Sequence, residues 1–346
     1  MNLGGIKEEI EVANFFARLG YFTRFHVQLY PKEGKISDID VLGVKFENHL
    51  LPTRNIIETK RSSNSTKAIF QLYGLKNFYK NCNAFFVNDK ISYNTFKITN
   101  ELDIKVYSFD RLKNLSKKDA KYPSIDIDDE KGYELIGFMD IIKKDVDNSL
   151  FWEYHGLWLE NNPFKRLNTI KEMFEVTDEL YGDHKDKKAF LWLRKELFAI
   201  AFLSILEIAS KCIELDNFTI NTYIEDQFYN LGTTKDRKLE LKEGLDVLVR
   251  IFQEKTGEKI DFKFDIIPEW SNLLIRVVKK IINNANYANN YLLINERILK
   301  SFIMDKPRNI EIVTDKVTYK ILPSINSDIL KILHKEHIFE DFNDYV

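Results

Sequence analysis

The chain has 346 residues, 44% hydrophobic and 30% charged, enough for two domains with real cores and a well-solvated surface. Its two cysteines, Cys82 and Cys212, are far apart in sequence and form no zinc pattern, which argues against a disulfide framework or a structural metal. The net charge of −2 conceals an asymmetry. Residues 1–115 hold 17 Lys and Arg against 12 Asp and Glu, a balance of +5, and the remainder balances at −7. A mildly basic first part is compatible with nucleic-acid contact and equally with ordinary fluctuation.

The opening Met-Asn-Leu-Gly-Gly-Ile-Lys-Glu-Glu is too acidic and too polar for a signal peptide. The most apolar run, residues 199–209, is interrupted by Ser204 and Glu207 and spans about half a membrane, so it reads as a buried helix. A cytoplasmic protein with no membrane partner is expected.

Residues 5–19 read as a helix, because Ile6, Ile10, Ala13, Phe16 and Ala17 recur at helical spacing and Gly20 stops it. Residues 21–30 read as a strand ended by Pro31, and residues 31–35, with Gly34, as a turn. A second strand covers 38–46, a loop with Pro52 covers 48–53, and a third strand covers 55–60. A polar run at 61–66 leads into a helix at 67–81, a buried strand at 84–87, a helix at 93–102 and a strand at 105–109. The first three strands can form a meander and the later ones join through helical crossovers. The expected fold is an α/β domain, a mixed sheet flanked by helices, over residues 1–115.

Residues 116–133 are charged and turn-rich and read as a linker. Residues 134–346 read as a mainly helical domain, with helices at 190–215, 238–255 and 270–284. Near the end, 309–313 and 317–321 alternate on either side of Thr-Asp-Lys and predict a short β-hairpin, followed by a helix at 326–341. No internal repeat or low-complexity segment is present.

The chemistry concentrates in the first sixty residues. Residues two apart on a strand share a face, so Glu58 and Lys60 point together, as do Asp38 and Asp40, with Ile57 and Thr59 on the other side. Paired as a meander, the two strands bring Asp40 and Glu58 to one end of the sheet. These carboxylates, with the backbone carbonyl of Thr59, offer hard oxygen ligands for Mg²⁺, and Lys60 beside them can act on a water and on phosphate charge. Glu9, on the first helix, can reach the cluster from above, with Glu8 and Glu11 as alternatives. Glu-Xaa-Lys alone is a common tripeptide of solvated strand edges. Here the acids sit beside Ile56-Ile57 and Val41-Leu42, and charges embedded in buried strands need a reason.

These residues resemble the PD-(D/E)XK nuclease superfamily, the restriction-endonuclease-like fold, over about residues 3–113. Gly5-Ile-Lys-Glu-Glu9, continuing to Leu19-Gly20-Tyr21, is similar to the opening of archaeal Holliday-junction resolvases and Mrr-like restriction enzymes. Ile39-Asp40-Val41-Leu42 resembles the metal-binding aspartate strand, and Ile57-Glu58-Thr59-Lys60 the (D/E)-X-K strand. The resemblance implies an α-β-β-β-α-β core and phosphodiester hydrolysis, mostly in DNA, with Mg²⁺ or, in its place, Mn²⁺. It implies Asp40 and Glu58 as ligands, Lys60 as the catalytic lysine and Glu9 as the accessory acid. Some subfamilies carry Gln-Xaa-Xaa-Xaa-Tyr on the following helix. Gln71 is placed for it, but position 75 is Leu.

Other features add little. The six histidines form no metal pair, and His334 and His337 read as surface. There is no P-loop, so any NTP-driven step needs an NTPase or other regulatory partner. Ser62-Ser63-Asn64-Ser65-Thr66 after Lys60-Arg61 reads equally as a phosphate-holding or a plain loop. Trp152, Tyr154 and Trp158 read as packing rather than base stacking. The expectation is a metal-dependent DNA nuclease, a restriction or antiviral-defence effector whose acidic helical domain senses, dimerises or restrains. Two-strand cutting would call for a homodimer. The alternatives are an RNA-cleaving nuclease and a catalytically silent nucleic-acid or protein binding subunit.

Overall fold

The computed structural model describes residues 3–29, 37–61, 65–79, 82–118, 125–145, 148–181, 187–230, 235–257, 268–306 and 315–333. The first helix, α1 (Leu3–Arg18), ends at the glycine that its sequence provides. Gly20 has φ +86°, its N–H bonds the Ala17 carbonyl at 3.0 Å, and the Tyr21 N–H reaches back to the Phe16 carbonyl at 3.1 Å. That is a Schellman termination, and the Tyr21 ring closes it edge-on against Phe16 at 5.5 Å.

Three strands follow as the expected meander: β1 (Phe22–Leu29), β2 (Ser37–Phe46) and β3 (Pro52–Lys60), each antiparallel to the last. Helix α2 (Ser65–Tyr79) then crosses over to β4 (Cys82–Asn88), parallel to β3, and α3 (Tyr93–Glu101) crosses to β5 (Ile104–Tyr107), parallel to β4. The five strands lie in chain order across one mixed sheet. Alternation divides its core in two. Val41, Ile57, Phe85 and Val87 pack with Val12, Phe15 and Phe16 of α1. Leu42, Ile56, Ala84 and Phe86 join Ile69 and Leu72 of α2 and a larger core beyond. The last strand is shorter than its sequence implied. Ser108 accepts the Arg111 N–H at 3.2 Å, so the chain turns helical and Phe109 opens α4 (Phe109–Lys118). The turn expected at 31–35 lies outside the described residues.

The remainder is mainly helical: α5 (Asp129–Asp145), α6 (Asn148–Leu157), α7 (Pro163–Tyr181), α8 (Lys187–Cys212), α9 (Asn217–Asn230), α10 (Lys235–Thr256), α11 (Ser271–Ile282), α12 (Ala288–Ile303) and α13 (Lys316–Leu333). No described helix is long and apolar enough to cross a membrane. The expected hairpin is corrected here. Residues 317–321, its second strand, belong to the first turns of α13, and 309–313 lie outside the described residues. The Asp taken for a turn residue is a helix cap: Asp315 accepts the N–H groups of Val317 and Thr318 at 3.0 and 2.7 Å. The final helix therefore begins ten residues before the expected start at 326.

Where described, the stretch between sheet and helices is fastened to α1. The Asn14 side chain bonds both the carbonyl and the N–H of Ile127, at 2.8 and 3.0 Å, and Arg18 pairs with Asp126. Gly132 at the start of α5 faces Ile10 so closely that a Cβ would lie 2.2 Å from its Cδ1.

Buried ions join the sheet to the helices. Arg24 of β1 grips Glu196 of α8 through Nε and Nη2, at 2.6 and 2.7 Å, and Glu296 of α12 through Nη1 at 2.8 Å. Arg54 of β3 and Arg166 of α7 both bond Glu207 of α8. Phe46 donates its N–H to Asn289 at 3.0 Å, and Asn289 in turn donates to the Gly20 carbonyl at 3.2 Å.

Two stability predictions follow from these clusters. Arg24→Met leaves Glu196 and Glu296 buried without their common cation, and it should cost about 3–5 kcal/mol in a denaturant titration. Glu207 responds to pH. Burial opposes its charge, but Arg166 and Arg54 overcome burial and hold its carboxyl below the ordinary value. The stabilisation is present above the unfolded-state value of 4.5 and fades as pH falls through the lower folded value. Glu207→Gln should lower Tm at neutral pH and flatten the acid limb of a Tm-versus-pH curve.

Candidate active site

The sequence places carboxylates at the end of β2 and β3, and the sheet opens there. The β2–β3 ladder is regular from Phe46↔Pro52 to Val41↔Ile57 and stops. In the next position the Asp40 carboxylate replaces the ladder. Its Oδ2 accepts the backbone N–H of Thr59 at 2.7 Å and the Thr59 hydroxyl at 3.1 Å. Strand parity alone sent Thr59 away from Asp40. The side chain reaches it because the ladder has already ended.

Asp40 and Glu58 are 7% and 3% exposed and face one cleft. The Lys60 ammonium lies between them, 2.8 Å from Glu58 Oε1 and 3.6 Å from Asp40 Oδ2. Burial and the Asp40 charge push Glu58 up to about 8, and burial raises Asp40 as well. Burial works against the Lys60 charge, but Asp40 and Glu58 overcome it and hold the ammonium above its ordinary range.

Helix α1 closes the cleft from one side, and its three acids lie in different places. Glu8 and Glu11 turn to Arg61, at 3.2 and 3.5 Å. Glu9, buried, lines the cleft beside Asp40 and Glu58, and burial raises its pKa. Helix α2 closes the other side with Lys67, Ala68 and Gln71. Gln71 donates to the Ser37 hydroxyl at 3.0 Å, at the start of β2. The cleft encloses about 440 Å³.

His26 is the site residue that sequence reasoning missed. It lies on β1 at the position between the pairs Phe25↔Val41 and Val27↔Ile39, opposite Asp40, and takes φ +54°. A left-handed residue inside a strand carries strain, which concentrates at functional sites. Its Nδ1 lies 3.2 Å from Glu9 Oε2 and its Nε2 2.9 Å from the Gln28 amide nitrogen. An Nδ1–H tautomer donates to Glu9 and accepts from Gln28, so both ring nitrogens are satisfied. Nothing in the sequence around it signals this; it emerges only from the β1–β2 register opposite Asp40.

The donor set suits a hard cation. Mg²⁺ is held by one or two carboxylates together with waters and substrate phosphate oxygens. Asp40 and Glu58 are buried oxygen donors, and the Lys60 ammonium bridging them stands where positive charge is required. Among the described residues no group of three or more His, Cys, Asp or Glu side chains is arranged to hold a metal by itself. His334 and His337 lie outside the described residues.

No family model matches the chain, and neither a curated protein nor a solved structure matches it, so the resemblance to the PD-(D/E)XK superfamily rests on the residues themselves.

Proposed function

We propose that this protein is a Mg²⁺-dependent nuclease that hydrolyses phosphodiester bonds, with DNA as its substrate and Mn²⁺ able to replace Mg²⁺. The observation that carries the reading is the convergence of two buried carboxylates and one lysine, Asp40, Glu58 and Lys60, in an open cleft. Burying like charges side by side opposes folding, so such a cluster is expected where a cation and its chemistry have to be accommodated.

In this reading Asp40 and Glu58, with the Thr59 carbonyl, hold the metal, and Glu9 supports it from α1. The bound ion supplies Lewis-acid polarisation of a phosphate oxygen and a more acidic water. Lys60 offers its ammonium to the attacking water and to the charge that grows on phosphorus. Thr59 holds Asp40 at a fixed angle through two hydrogen bonds. His26 positions Glu9, and Gln71 steadies the start of β2 against α2.

The two-part organisation, a nuclease over residues 1–115 and a helical part over 134–346, supports a restriction or antiviral-defence effector whose helical part regulates. A homodimer, or a regulatory or NTPase partner, fits that role.

The decisive experiment offers supercoiled plasmid, linear duplex, single-stranded DNA and RNA to the full chain with Mg²⁺ or Mn²⁺. DNA should be cut, EDTA should abolish cutting, and Lys60→Ala should lower the rate about 10²–10⁴-fold with the circular dichroism spectrum unchanged. Preferential RNA cleavage would move the substrate class, and an inert wild type that binds nucleic acid would make the domain a binding subunit. A second prediction is independent of turnover. Calorimetric titration with Mn²⁺ should show one saturable site in the wild type and none in the double variant Asp40→Asn/Glu58→Gln.

A further inference from the structure

A second cavity, of about 270 Å³, lies between β1 and helices α5, α6, α8 and α12. It approaches the size of small-molecule pockets, which begin at about 300 Å³. Its walls are aromatic and buried: Phe151, Tyr154 and Trp158 on and just after α6, and Trp192 on α8. Tyr154 stands edge-on to Trp158 and to Trp192, with centroids 6.4 and 6.0 Å apart. Rings fixed in this way offer π surfaces to a planar guest.

The charges on the walls cancel. Arg24 and Lys300 face Glu196 and Glu296, and the Arg24 guanidinium is already committed to both carboxylates. Asp140 and Lys143 balance each other on α5. Burial raises the Glu196 carboxyl and lowers Lys300, and neutralising both leaves the balance as it was. A charged guest would find no net opposite charge here. A neutral guest finds acceptors in the carboxylates and a donor in Lys300, while the Tyr154 hydroxyl already donates to Glu196 at 3.3 Å.

We propose that this cavity is a binding site for an uncharged, planar heteroaromatic molecule with hydrogen-bonding edges, of nucleobase or nucleoside chemistry. The site is joined to the cleft. Thr23 to Gln28 of β1 form one wall, and His26 borders both spaces while it holds Glu9. A guest packed against β1 bears on the strand that sets the Glu9 carboxylate. This coupling rests on the nuclease reading, whereas the binding site does not.

The test titrates the full chain with adenine, adenosine, cytidine, thymidine and AMP by calorimetry and thermal shift. At least one neutral member should bind saturably with Kd below about 1 mM, and AMP should bind no tighter than adenosine. Met139→Trp, which fills the cavity from α5, should abolish binding, with Ile136→Phe as the milder variant if the first does not fold. No binding by any neutral member, tighter binding of AMP, or binding that survives in a folded, filled variant would each overturn the site. Cleavage of plasmid with and without the bound member then reads the coupling: a changed rate in the wild type, absent in the filled variant, supports it, and an unchanged rate overturns it. Failure of all cleavage would count against the nuclease reading and leave the calorimetric result standing.

Discussion

A guanidinium buried between a sheet and a helical layer has to find its counter-charges there, and Arg24 finds two. Glu196 and Glu296 come from helices that lie 172 and 272 residues further along the chain. Desolvating three charges at once is repaid only by near-ideal geometry, so the network tolerates one placement of β1 against α8 and α12. Arg54, Glu207 and Arg166 impose the same condition on β3. The strands that carry His26 and Glu58 are thereby clamped from behind. The cleft inherits its dimensions from contacts that never touch it.

The cleft itself shows the opposite economy. Asp40, Glu58 and Glu9 crowd three carboxylates into a space where burial disfavours the charge of each. Lys60 meets part of that repulsion, and His26 takes an unfavourable backbone angle to reach Glu9. Charge is paired and balanced behind the sheet, while strain and unbalanced charge are concentrated in front of it.

What could be read in the sequence follows from the range of the forces involved. The face shared by Asp38 and Asp40, and by Glu58 and Lys60, depends only on the two-residue period of a strand, and so did the element order through β5. Gly20 announced the end of α1 because its cause is local. That Glu9 lines the cleft while Glu8 and Glu11 turn to Arg61 was not legible, since it turns on where Arg61 lies in space. Neither the left-handed turn at His26 nor the pairing of Arg24 with Glu196 leaves any mark in its own neighbourhood. The misread hairpin at 317–321 shows a local failure of another kind. Five alternating residues fit a strand and the first turns of a helix alike, and the capping geometry of Asp315 decides between them.

The order of strands also leaves the sheet with two unlike borders. On one side β1 is overlaid by α6 and α12. On the other, β5 is only four residues long and carries exposed Lys105. Short, charged borders are poor templates for further pairing. Neither border offers a long open edge on which a further strand could readily pair.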